Sequence, residues 1–317
     1  MGVAPIHDAN FRCRQDITRG MMRGMTLARC AALMWGGLAT MWAAEAPAGK
    51  SPLAPPAGDS ASWVEPMRKV HARFSGVAGT FAQFGDSITV TMAFWAPLAG
   101  NPKNMSAGMQ RALQTVKSYQ KPECWRGWKG PEFGNNGSMT IRWAHDNVEK
   151  WLNKLNPETV LVMFGSNDVG QMDVGEYEAK TRAVVARCLT NGTVVILSTM
   201  PPRSGRMEQC RRFADVVRRI ARDNSVPLSD YFGEILNRRP DDWDGSLPKF
   251  KEVPGDEYQV PTLIARDGVH PSNPTPFAGD YSDEALATNG YGLRNFLTVM
   301  TYADVIERIF RPGTPGR

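Results

Sequence analysis

Three short strings, far apart in a chain of 317 residues, carry side chains whose types suit nucleophilic catalysis: Gly85-Asp86-Ser87-Ile88-Thr89, Gly165-Ser166-Asn167-Asp168 and Asp267-Gly268-Val269-His270. A serine hydroxyl is a poor nucleophile until a base takes its proton, and an imidazole does this best when a carboxylate holds its tautomer. Ser87, Asp267 and His270 supply all three partners. Asn167 adds a side-chain amide that can donate to an oxyanion. Each residue also has a plainer reading: Ser87 as a helix N-cap, Asp267 as the start of an Asp-Gly turn, Asn167 as a turn residue. The joint occurrence of the strings favours chemistry.

The elements that must position these strings alternate along the chain. Strand-like apolar runs cover 80–84, 159–164, 193–198 and 226–230, and helical patterns cover 141–155, 174–189 and 207–224. Continuous apolar strands separated by amphipathic helices predict a parallel sheet covered on both faces. The strings fall at strand C-terminal ends or beyond the last strand, where open α/β sheets bind ligands. Two long stretches, 97–133 and 237–266, interrupt the alternation; each precedes a chemical string and is expected to overhang the site. Trp95, Trp125 and Trp128 either form a platform for stacking on sugar rings or pack in the core or a lid.

On Gly85-Asp86-Ser87-Ile88-Thr89, Gly165-x-Asn167-Asp168 and Asp267-x-x-His270, the chain resembles an SGNH hydrolase of the GDSL esterase/lipase superfamily over residues 78 to 310. Asn135-Asn136-Gly137-Ser138-Met139-Thr140 is similar to the family's second block, on a compressed spacing, with Gly137 as its glycine. The resemblance implies a three-layer, flavodoxin-like α/β/α sandwich with a central parallel sheet. It implies Ser87 as nucleophile, His270 as general base and Asp267 as the acid that orients it. The oxyanion hole would be the Ser87 and Gly137 amides with the Asn167 side chain; Asp86 and Asp168 would be structural supports. No metal or organic cofactor is implied. The Gly-Asp-Ser-Ile-Thr form on an exported chain is similar to carbohydrate esterases that deacetylate polysaccharides, which implies a polysaccharide or small-molecule ester as substrate. Two alternatives stand beside this: a lipase or lysophospholipase-type acyl hydrolase, and a non-catalytic carbohydrate-binding relic. Intact Ser87, Asp267 and His270 weigh against the relic.

The composition, 42% hydrophobic and 22% charged, is that of an ordinary globular protein. The net charge of +5 is dispersed; its densest basic stretch, 211–222, alternates with Phe213, Val216, Val217 and Ile220 and reads as a solvated helix face. Nothing argues for nucleic acid. Residues 1–46 read as a leader: Arg23 and Arg29 precede an apolar run from Cys30 to Ala44, and Ala44-Glu45-Ala46 is a small-x-small cleavage pattern. The run is shorter than the ~20 residues of a membrane span. Export to the periplasm or beyond is expected, with no stable membrane span after removal; the alternative is an anchoring or buried helix. Met21, Met22 and Met25 are alternative starts, and Arg29 argues against lipidation at Cys30. Residues 47–60 form a proline-rich linker and 61–317 the catalytic domain. Cys124, Cys188 and Cys210 remain, allowing at most one internal disulfide and showing no metal-ligand spacing; Cys188 and Cys210 are expected as buried helix residues.

Overall fold

Four apolar segments, short and flanked by amphipathic helices, form a parallel sheet in the computed structural model, which describes residues 62–311. The expected leader and linker lie outside the described residues. In chain order the elements are α1 (Val64–His71), β1 (Val77–Gly85), α2 (Ser87–Val90), α3 (Ala107–Tyr119), α4 (Glu123–Arg126), α5 (Ile141–Leu155), β2 (Pro157–Met163), α6 (Val174–Thr190), β3 (Val194–Ser198), α7 (Met207–Asp223), β4 (Leu228–Ser229), α8 (Tyr231–Arg238), α9 (Asp283–Thr288) and α10 (Gly290–Val305). The strands stand in the order β1-β2-β3-β4, all parallel, with Phe81 opposite Thr159, Thr159 opposite Val194 and Leu197 opposite Leu228. Every residue of β2 and β3 is buried, as a sheet covered on both faces requires.

Right-handed crossovers between successive parallel strands put their helices on one face; α5 packs on α6, and α6 on α7. In the other layer α10 packs on α3, α8 and α9, and α1 packs on the closing turn Ile306–Phe310. The result is the expected α/β/α sandwich. Where a flavodoxin-like order places a further strand beside β1, loop pieces take its place. The Lys121 amide donates to Gly79 O at 2.8 Å, Cys124 Sγ accepts from the Phe81 amide at 3.3 Å, and Asn135 pairs in parallel with Gly85.

Stretch 97–133 departs from the expected overhanging loop, because its apolar residues Met109, Ala112, Leu113 and Val116 make α3 part of the helix layer. The sugar-platform reading of the tryptophans is likewise overturned for two of them. Trp95 is fully buried, Trp125 is 9% exposed, and the two rings stack on each other at 5.2 Å. The basic face of α7 is solvated, with Arg219 reaching Glu178 of α6 at 2.5 Å. Cys124, Cys188 and Cys210 are free thiols in the interior. No helix among the described residues is long and apolar enough to cross a membrane.

Candidate active site

β1 ends at Gly85, where a Cβ would lie 2.2 Å from Thr89 Oγ1, so only glycine lets the chain fold back this tightly. Asp86 then caps α2, its Oδ1 accepting from the Ile88 amide at 3.0 Å. Ser87 is the first residue of this single turn and stays partly exposed at the C-terminal end of β1. His270 comes from a tight loop: the Ala265 amide donates to His270 O at 2.7 Å, and Ile264 bridges Pro271. Gly268 closes it at φ +69°, a left-handed conformation that favours glycine. The Ser204 amide donates to Gly268 O at 2.8 Å and fastens the loop to the segment after β3.

The fold thereby brings three distant side chains into one hydrogen-bonded line. The Ser87 hydroxyl donates to His270 Nε2 at 2.9 Å, and His270 Nδ1–H donates to Asp267 Oδ2 at 2.5 Å. Asp267 Oδ1 accepts from the Val269 and His270 amides at 2.8 and 2.9 Å. One carboxylate oxygen therefore orients the imidazole while the other is held by its own turn, so the turn reading and the orienting reading coexist. The hydrogen bond to Asp267 raises the His270 pKa above its ordinary value against the opposing effect of burial; the Asp86 charge adds to the rise and Arg203 reduces it. Burial works to raise Asp267, but the bonds from His270 and the two amides outweigh it and hold the carboxyl below its usual range. The site is open: the His270 and Asp267 side chains are 26% and 28% exposed.

The oxyanion candidates lie on neighbouring loops. The Asn167 side-chain amide donates to Met139 O at 3.0 Å, which leaves its second N–H available and ties the 165–168 loop to the second block. That block runs beside the end of β1: the Gly85 amide donates to Gly134 O at 3.0 Å and the Asn136 amide to Gly85 O at 3.2 Å. Gly137 follows directly, and a Cβ there would meet nothing within 4 Å. The Ser87 and Gly137 amides bond to nothing among the described residues.

Asp168 spans the same two loops from beneath, its Oδ1 accepting from the Ile141 amide at 2.7 Å and its Oδ2 from the Gly165 amide at 2.9 Å. Burial pushes its pKa up to about 7. Asp86 is fully buried, with its pKa pushed up to about 6 by burial and its Oδ2 unpartnered.

Four neighbours are absent from the sequence reading. Arg203 donates to Ser166 O at 2.6 Å, and the Tyr258 ring stands edge-on to His270 at 6.1 Å, so stretch 237–266 does flank the site. Arg294 of α10 and Lys129 both reach the turn that carries Ser87. A single arginine in the apolar run 290–303 was the available signal for Arg294; Lys129, between Trp128 and Gly130, offered none. Among the described residues no group of three or more His, Cys, Asp or Glu side chains is placed to hold a metal ion.

No curated protein sequence matches the chain. Solved structures similar to it include a lipase/acylhydrolase from Enterococcus faecalis, 15% identical, covering 71% of this chain and 95% of its own with a TM-score of 0.43. A catalytic mutant of an acetylxylan esterase from Geobacillus stearothermophilus is 17% identical, covering 74% and 96% with a TM-score of 0.42. A GDSL-like lipase from Bacteroides thetaiotaomicron is 14% identical, covering 76% and 97% with a TM-score of 0.41. The sequence profile of the GDSL-like lipase/acylhydrolase family matches residues 84–274, more than half of the chain, from the end of β1 through His270. The chain is a carboxylic ester hydrolase and belongs to the GDSL-like lipase/acylhydrolase family.

Proposed function

We propose that the protein is a serine esterase that works through an acyl-enzyme and removes acetyl groups from a carbohydrate. The observation that carries the mechanism is the unbroken line Ser87 Oγ, His270 Nε2, His270 Nδ1, Asp267 Oδ2. In this reading an ester lies with its carbonyl oxygen toward the Ser87 and Gly137 amides and the free N–H of Asn167. His270 takes the Ser87 proton as Oγ attacks the carbonyl carbon. The tetrahedral oxyanion draws on the three donors, His270 returns the proton to the departing alcohol, and the acyl group stays on Ser87. A water that gives its proton to His270 then attacks the acyl-enzyme and releases the acid. Asp267 stays ionised throughout and stabilises the imidazolium.

The acetyl preference is supported by the openness of the site. His270 and Asp267 side chains more than a quarter exposed, beside a partly exposed Ser87, suit an ester projecting from a large, polar polymer. A long acyl chain needs apolar cover to leave water. The second reading, a lipase-type acyl hydrolase, is favoured by Met92, an exposed apolar side chain five residues after Ser87. The reading also includes export of the mature chain, on the strength of the leader pattern in 1–46.

The test is hydrolysis of aryl esters from acetyl to octanoyl, alongside acetate release from an acetylated xylan, with Ser87→Ala as control. Acetyl cleavage on both substrates, lost on the order of 10³-fold or more in Ser87→Ala, is expected. Octanoyl esters cleaved faster than acetyl ones would establish the lipase-type reading instead, and a folded Ser87→Ala with undiminished turnover would remove the mechanism.

A further inference from the structure

A single helical turn has almost no stability of its own, because fixing it orders several dihedrals for one hydrogen bond. Ser87 sits on such a turn, the four residues of α2. Whatever holds α2 therefore aims both the Ser87 hydroxyl and its amide. Asp86 holds the first end. At the other end, carbonyls without helix beyond them need outside donors, and two cations supply them. Arg294 Nη1 donates to Ile88 O at 2.6 Å and Nη2 to Thr89 Oγ1 at 2.9 Å. Lys129 Nζ donates to Thr89 O at 2.6 Å and to Gln83 Oε1 at 2.9 Å. Both also pack on the Phe94 ring, with Arg294 Cζ 3.6 Å and Lys129 Nζ 5.3 Å from its centroid.

Neither cation forms a direct ion pair or hydrogen bond with a carboxylate among the described residues, although Arg294 is 1% exposed; the charges of Arg294 and the buried Asp86 favour each other without a bond between them. Burying a cation without a direct ion pair is costly. Neutral donors would satisfy two carbonyls at lower cost, so the charges have another use. Charge-assisted bonds are shorter and stiffer than neutral ones, and a nucleophile needs stiffness because small misplacements lower turnover steeply.

We propose that Lys129 and Arg294 are positioning residues for hydrolysis, a two-cation clamp on the carbonyls of α2 that keeps Ser87 aimed at the bound ester. The inference rests on the reading of Ser87 as nucleophile. Lys129 makes the clamp sensitive to pH. Burial, aided by the like charge of Arg294, lowers its ammonium to about 7. The groups facing it are Gln83 of β1, the Thr89 carbonyl of α2, the Phe94 ring and Arg294 of α10; none is an acid that would keep it charged. Above neutrality it becomes an amine, and its bond to Thr89 O loses its charge assistance.

The experiment compares wild type, Lys129→Gln and Lys129→Arg for aryl-acetate turnover from pH 5 to 10, with thermal melts and the rate of labelling by a fluorophosphonate, which reports on Ser87 directly. Taking the ratio to wild type cancels the titration of His270. Wild type is expected to exceed Lys129→Gln by about tenfold in kcat and labelling at pH 6, with KM unchanged, and the two are expected to converge by pH 9. Equal rates at pH 6, or a ratio constant across pH, would overturn the proposal. If Lys129→Gln does not fold, Lys129→Arg decides: a ratio of its turnover to that of wild type that rises from pH 7 to 9 supports the clamp, and a ratio constant across that range overturns it. Ser87→Ala separates the two levels, since labelling that persists there removes the nucleophile assignment itself.

Discussion

Replacing Asp267 by asparagine tests how the turn and the triad share one carboxylate. Asp267 Oδ1 accepts from two backbone amides while Oδ2 accepts from His270 Nδ1. An asparagine has one acceptor oxygen, and the two amides of the turn compete for it more strongly than one imidazole. Its oxygen therefore faces the turn and its NH₂ faces Nδ1. Two donors cannot face each other, so the imidazole moves its proton to Nε2, the nitrogen that must accept from Ser87. Turnover is expected to fall on the order of 10⁴-fold, about 5 kcal/mol of barrier. KM and melting temperature should stay close to wild type, because the turn keeps both bonds. The assay is aryl-acetate hydrolysis together with ¹⁵N NMR of the imidazole, which should show the Nε2–H tautomer. Turnover within tenfold of wild type, or an Nδ1–H tautomer with turnover lost, would refute the reasoning.

Three further outcomes follow from the same geometry. Asn167→Ala should lower kcat by about 10²- to 10³-fold with little change in KM, since an oxyanion donor acts in the transition state; a change confined to KM would make Asn167 a ground-state binding group. Hydrolysis should rise with pH through a His270 pKa above the ordinary histidine value, because only neutral imidazole accepts the serine proton; in Asp267→Ala this rise should move to lower pH, and an unmoved limb would show that another group titrates. Asp86 titrates near 3.8 when unfolded and about 6 when folded, so the folded state holds the extra proton between those values and stability falls as pH rises through that window. Asp86→Asn keeps the acceptor for the Ile88 amide and removes the buried charge; its melting temperature should exceed wild type at pH 8, by up to about 3 kcal/mol of stability, and match it near pH 4. Equal melting at both pH values would show that the Asp86 charge carries no penalty.

Residue type and order alone were enough to nominate Ser87, Asp267 and His270. The reasons are local: each sits in a turn whose glycines and caps are written into the adjacent residues, as Gly85 and Asp86 are for Ser87 and Gly268 is for His270. The central strands and helices 141–155, 174–190 and 207–223 were legible for a related reason, since a sheet buried on both faces demands unbroken apolar runs and its covering helices demand amphipathic ones. The α3 helix was hidden in an apparent loop because its face is covered by α10, nearly two hundred residues later. Only the folded chain joins Ser87 to His270 across 183 positions. Only packing turns Trp95 and Trp125 inward, onto each other rather than toward a sugar. Lys129 and Arg294 meet at α2 through contacts 40 and more than 200 residues apart in sequence. No local pattern can encode such contacts, because they exist only when the layers close.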